Sequence, residues 1–231
     1  MADQLVFDLP FRAAMGRDDF LVSRTNMAAV KGIDRWRDWP FGKAVLVGPE
    51  GAGKSHLAHV WAAQSGARIV AAAGLTEDWI DRADTVAGLA IEDADRLAGD
   101  RAAETLLFHL HNALATRSVP LLVTARQIPN RWGLVLPDLE SRMAQADVLQ
   151  AAPPDDALLM ALMVKLARDR QMRLTPDLIR YAMPRIERTF AAVRSLMAEL
   201  DARSLAAREP PMRKHIRAIL EGARGAPSTR G

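Results

Sequence analysis

The residues with the plainest chemical purpose are Gly48, Pro49, Glu50, Gly51, Ala52, Gly53, Lys54 and Ser55. Glycines at both ends of this turn let successive backbone N–H groups curl around an anion. Lys54 supplies a point charge for β and γ phosphates, and the Ser55 hydroxyl is a ligand for Mg²⁺. His56 follows in a helix whose N-terminus favours the same negative charge. The context fits, with apolar "AVLV" before the turn reading as a strand and "HLAHVWA" after it as a helix. Residues 48–56 are expected to bind ATP or ADP with Mg²⁺.

A site of this kind takes acids from the end of a later strand, and "GLAIEDAD" supplies Glu92 and Asp93. Glu92 is expected to serve the metal and Asp93 the attacking water. The longer acid stands first, where Asp is usual. One extra methylene moves a carboxylate by about a bond length, and misplacement by about 1 Å costs roughly a hundredfold in rate. Nucleotide binding with weak turnover is the expectation. Other groupings promise less: His56 and His59 lack a third ligand, His109 and His111 fall on different sides of a helix, and Trp36 and Trp39, on a helix before the first strand, read as packing.

These residues need a scaffold, and the chain supplies five short apolar runs: Ala44 to Val47, one from Arg68, Val86 to Ile91, Val119 to Thr124, and Asp147 to Gln150. Helical patterns alternate with them, which predicts an α/β fold with a five-stranded parallel sheet. The clearest helix, Asp100 to Arg117, repeats Leu106, Leu107, Leu110 and Leu114 at three- and four-residue steps. Beyond Pro153 and Pro154 only helical patterns remain, over 155–170, 176–183, 189–207 and 212–220. The diproline marks a hinge. The expected organisation is an extended segment 1–12, an α/β domain 13–152, an all-helical domain 153–222, and a disordered Gly-, Pro- and Ser-rich tail 223–231.

Composition narrows the function classes. The 231 residues are 49% hydrophobic, enough for a real core, and contain no cysteine, which excludes disulfides and thiolate metal sites. No apolar run reaches about eighteen residues and no basic-then-apolar leader opens the chain, so a cytoplasmic protein without a membrane span is expected. The net charge of +3 is uneven: from Arg203 onward seven basic residues face two acidic ones, leaving −2 for the rest. Without interleaved aromatics that surplus reads as a solvated helix face.

In order along the chain, "DDFLVSRTNMAAV", "GPEGAGKSHLAHVWA", "LAIEDAD", "LLVTAR", "LESRMAQADVLQAAPPDD" and "AAVRSLMAELDARS" resemble the AAA+ part of the DnaA family, and within it the Hda type of replication regulator. The resemblance spans almost the whole chain. It implies an AAA+ P-loop core followed by a helical lid, without the DNA-reading helix-turn-helix domain into which DnaA continues. By position it implies four further roles: Thr124 as the polar sensor after the fourth strand, Arg142 as an arginine finger acting in trans, Arg194 as the lid arginine that closes on the nucleotide, and Phe20, Leu21 and Val22 as the segment cradling the base. Ala125 stands where the family usually carries an acid, which further lowers the expected self-hydrolysis. From the residues alone, Arg142 also suits a surface ion pair with Asp138 or Glu140.

The opening "QLVFDL" resembles the hexapeptide that docks on sliding clamps, with Gln4 at its polar position and Leu5, Phe7 and Leu9 at its apolar ones. An edge strand folded onto the chain's own core has the same alternation. Joined to the rest, the resemblance implies a bacterial, replisome-associated negative regulator of replication initiation. It would hold the DNA polymerase clamp (beta subunit) through residues 4–9, meet DnaA through its AAA+ face and promote hydrolysis of DnaA-bound ATP. Homo-oligomers are possible and sequence-specific DNA binding is not expected. The alternatives are an autonomous ATPase of the helicase-loader kind, a small-molecule kinase, and a DNA-binding module using the basic C-terminus.

Overall fold

The computed structural model describes residues 21–225. They divide into two compact units, one of residues 24–153 and one of 21–23 with 154–225.

The first unit runs α1 (Met27–Asp34), β1 (Lys43–Val47), α2 (Lys54–Ser65), β2 (Arg68–Ala71), a short α3 (Asp78–Asp81), β3 (Leu89–Glu92), α4 (Arg101–Thr116), β4 (Leu121–Ala125), α5 (Pro137–Ala144) and β5 (Asp147–Gln150). The five strands pair in parallel in the order β2-β3-β4-β1-β5. Every residue of β1 and β4 is buried, as strands covered on both faces require. β1 lies between β4 and β5, although the next strand in the chain, β2, is at the far edge. The strand order reverses at β1, and open α/β sheets place their ligand crevice outside the carboxyl ends of strands at such a point.

One face of the sheet is closed by α4, whose Leu107, Leu110 and Leu114 pack with Val45, Leu89, Ile91 and Val123. The Asp100 carboxylate caps this helix by accepting the Ala102 and Ala103 amides at 2.9 and 3.2 Å. α1 carries Gly32, a residue that costs helix stability when it stands in a helix interior. The glycine serves packing: a Cβ on it would lie 2.3 Å from Leu149 Cδ2. Trp36 and Trp39 stand in or beside short 3₁₀ turns, where the sequence reading puts a longer helix. They do pack: Trp39 is buried, donates Nε1–H to the Gly32 carbonyl at 2.9 Å, and its ring centroid is 5.4 Å from that of Trp61 on α2.

The second unit holds α6 (Asp156–Asp169), α7 (Pro176–Ala182), α8 (Phe190–Ala207) and α9 (Arg213–Gly225). Asp155 caps α6 and Thr189 caps α8. Leu159, Met163, Ile179, Val193, Met197 and Ile216 are central to its core. α9 runs three residues past the boundary at 222 expected for the helical domain. The remainder of the expected tail and the expected segment 1–12 lie outside the described residues. No helix among the described residues is long and apolar enough to cross a membrane.

Candidate functional site

The turn from Gly48 to Gly53 joins the carboxyl end of β1 to α2. The Gly48 amide donates to the Ala125 carbonyl at 3.2 Å, and the Ala151 amide to the Val47 carbonyl at 2.7 Å, so β4 and β5 hold the turn from both sides. A Cβ on Gly48 would come within 2.2 Å of the Ala151 carbonyl oxygen, a backbone atom that cannot step aside. Gly51 and Gly53 have φ of 77° and 87°, the left-handed region that glycine enters without steric cost. Lys54 is buried and donates Nζ–H to the Gly48 and Pro49 carbonyls at 2.7 and 3.0 Å. Burial lowers its pKa, while the nearby Asp93, Asp95 and Glu50 carboxylates pull it back and Arg126 adds to the lowering. Ser55 is exposed on the first turn of α2, with its carbonyl accepting from His59 Nδ1 at 2.8 Å, and His56 is half-buried beside it.

β3 and β4 bring the acids to the same end of the sheet. Ile91 pairs with Val123 in register, which sets Glu92 and Thr124 at neighbouring strand ends. The buried Thr124 hydroxyl accepts the Asp93 amide at 3.0 Å. Asp93 has φ 55° and ψ 42°, a left-handed conformation that Asp tolerates better than most residues. Its carboxylate is 3.4 Å from Arg96. Asp95 Oδ2 accepts the Arg126 amide at 3.0 Å, and the Arg126 guanidinium reaches Glu50 at 3.3 Å. Glu92 Oε1 and Asp95 Oδ1 are buried without a hydrogen-bond partner. An orphaned buried carboxylate oxygen suits a site completed by a cation. Among the described residues no group of three or more His, Cys, Asp or Glu could hold a metal ion. A Mg²⁺ at this end of the sheet would need phosphate and water as ligands beside Ser55 and Glu92.

Arg142 occupies the last turn of α5, away from these residues in the chain. It is exposed and makes no ion pair among the described residues, with Asp138 and Glu140 included. Its helix is fixed by a residue that the sequence reading missed. Glu104 on α4 is fully buried, and its carboxylate accepts the amides of Gly99 at 2.8 Å, Val135 at 2.9 Å and Leu136 at 2.7 Å. Leu136, the residue before α5, has no side-chain cap of its own. One carboxylate from a neighbouring helix thus accepts the N-cap amide of α5, as the N3 acid of a capping box does locally, and the amide before it.

No protein-family model matches the chain. Among solved structures it is similar to domain III of the replication initiation protein DnaA from Thermotoga maritima, with TM-score 0.73 and 18% identity over 88% of this chain and 94% of that one. It is also similar to AMPPCP-bound DnaA from Aquifex aeolicus (TM-score 0.68, 15% identity, 89% and 68% of the two chains) and to a RuvB variant from Thermotoga maritima (TM-score 0.64, 18% identity, 84% and 65%). The fold is a DnaA-like AAA+ fold. The chain spans 62% of a DnaA that was bound to AMPPCP and single-stranded DNA.

Gly48 to His56, Glu92, Asp93 and Thr124 come together at the carboxyl ends of β1, β3 and β4, and Arg142 stands in the last turn of α5 in the same unit. Arg194 is exposed near the start of α8 in the helical unit. Leu21 packs on that unit's core and Val22 is half-buried. Phe20, Gln4, Leu5, Phe7 and Leu9 lie outside the described residues.

Proposed function

We propose that this chain is a DnaA-related AAA+ regulator of the Hda type, a cytoplasmic, replisome-associated protein that limits replication initiation. Held on DNA-loaded clamp through residues 4–9, it offers Arg142 to ATP bound on DnaA and promotes its hydrolysis. The observation that carries this reading is Arg142 itself: a guanidinium without a counter-ion among the described residues, on a helix whose start is tied down by a buried carboxylate. A cation held in place in this way is preorganised for charge that develops on a transferring phosphoryl group.

The chain's own nucleotide, ADP or ATP, has a conformational role in this reading. Residues 48–56 wrap its phosphates, and Lys54 exchanges its loop carbonyls for phosphate oxygens. Ser55 and Glu92 would hold Mg²⁺, which would neutralise phosphate charge. Thr124 keeps Asp93 in place through the backbone amide, yet the Glu-before-Asp order and the buried Ala125 leave turnover slow.

The test is reconstitution with clamp-loaded DNA and ATP-loaded DnaA. The wild type accelerates hydrolysis, and Arg142→Ala loses the acceleration while keeping its fold and its clamp and nucleotide binding. Fingers acting in trans supply about 10³ to 10⁵ in rate. Undiminished acceleration by Arg142→Ala rejects the reading. The complete phosphate turn and the Thr124 to Asp93 bond favour a second reading, an autonomous ATPase of the helicase-loader kind. Rapid multiple turnover by the isolated chain selects it.

A further inference from the structure

Close to Arg142 the α/β unit buries a lysine that no acid answers. Lys43, the first residue of β1, is 3% exposed, and its Nζ lies 3.0 Å from Nε2 of His111 on α4. His111 is itself 6% exposed, and its Nδ1 is 3.2 Å from the Asn112 side-chain oxygen. An amide oxygen only accepts, so this arrangement puts the imidazole proton on Nδ1 and turns the Nε2 lone pair to the ammonium. Burial, then the Arg142 guanidinium, lowers the Lys43 pKa to about 8. Burial, then Lys43 and Arg142, also lowers His111, against the Asn112 hydrogen bond.

The other neighbours of Lys43 leave it uncompensated. Leu121 is its register partner on β4, Asp147 on β5 is paired with Ala44, and no carboxylate makes an ion pair with Lys43 among the described residues. Lys43 and His111 thus meet, and the pairing of Ala44 with Asp147 brings the end of α5, which carries Arg142, to the same end of the sheet; an ammonium buried with only a neutral partner is costly to the fold. Beside them Phe41 is 74% exposed, with its ring 5.6 Å from the Lys43 ammonium. Its φ of 53° is unfavourable for a bulky side chain, so the turn keeps an aromatic in solvent at a conformational cost.

We propose that Lys43 is a positioning residue for the Arg142 face, and that Lys43, Arg142 and Phe41 together seat the phosphate-bearing edge of a partner P-loop domain. The inference rests on the trans-acting role of Arg142 argued above. Charge complementarity names the occupant. Lys43 leaves a positive charge at this end of the sheet without a carboxylate partner among the described residues, and the arriving polyphosphate supplies the counter-charge that the fold withholds. Phe41, an exposed aromatic beside Lys43, is the apolar anchor of the seat.

The experiment measures binding of the full chain to DnaA loaded with AMPPCP, by calorimetry in buffers of different ionisation heat at pH 8. The wild type takes up protons on binding, because a partner's phosphates restore the Lys43 charge. Lys43→Met abolishes the uptake and weakens binding by at least about threefold without lowering the melting temperature, since removing an uncompensated buried charge does not destabilise. Phe41→Ala weakens binding by about tenfold while hydrolysis at saturating concentration stays near wild type, a split that Arg142→Ala does not show. Absence of proton uptake by the wild type overturns the proposal even if Lys43→Met fails to fold. Wild-type affinity in both variants alongside loss of acceleration in Arg142→Ala rejects this seat and leaves the proposed function standing. No binding of the wild type to DnaA ends both. Effects of Lys43→Met and Phe41→Ala confined to duplex DNA binding also overturn it.

Discussion

Lys54 and Lys43 are both buried ammonium groups, and their surroundings treat them in opposite ways. Lys54 has two carbonyls of its own turn and several nearby acids, whereas Lys43 has an imidazole and the field of a guanidinium. The difference has a pH signature. Lys43 falls from 10.5 to about 8 in the folded chain, so between these values the unfolded state binds more protons and the Lys43 contribution to stability rises with pH. Below about pH 8 the cost of the buried charge is fully present. Urea unfolding of wild type and Lys43→Met from pH 7 to 10.5 should therefore show the stability difference moving in favour of the wild type as pH rises. Lys54 was legible in the sequence because its partners lie within one eight-residue turn. Lys43 was not, because His111 is 68 residues away and only the fold joins them.

Between elements, Glu104 matters most for the finger. It ties α4 to the loop before α5 through the Val135 and Leu136 amides and also holds the Gly99 amide ahead of its own helix, and an orphaned buried donor costs about 1–3 kcal/mol. Glu104→Ala should lose on the order of 3 kcal/mol or more in chemical denaturation, and hydrogen exchange should quicken at the Val135 and Leu136 amides. Acceleration of the partner's hydrolysis should fall with it while clamp binding persists. Glu104→Gln, which keeps one acceptor oxygen, should lie between. The helices and strands themselves were largely legible. Apolar runs mark all five strands, although β3 begins at Leu89 and not Val86. The strand order, the close packing of Gly32 in α1 against Leu149, and the latch from Glu104 to residues 31 and 32 positions away depend on contacts that periodicity does not encode.

At the scale of the molecule, two compact units share one chain and the phosphate turn belongs wholly to the first. A ligand that binds only the folded state stabilises it by about 2.7 kcal/mol at a hundred times its Kd. ADP at that excess should raise the unfolding free energy of the wild type by about this amount and leave Lys54→Ala unchanged, which differential scanning calorimetry or urea titration reads directly. The basic surplus after Arg203 is partly answered within the chain, by ion pairs of Lys214 with Glu209 and of Arg217 with Glu221. That pairing fits a solvated helix surface better than a nucleic-acid face, whose hallmark is unpaired cations and steep salt dependence.

The indoles of Trp39 and Trp61, with centroids 5.4 Å apart and planes inclined by 32°, form a coupled chromophore pair, and Trp36 stands edge-on to Trp61 at 6.4 Å. Trp61 rides on the helix that begins at Lys54, while Trp39 is fastened to α1 through the Gly32 carbonyl. Exciton coupling depends steeply on the spacing and angle of two rings. The chain therefore carries its own optical gauge of how α2 is seated, readable in circular dichroism without a label.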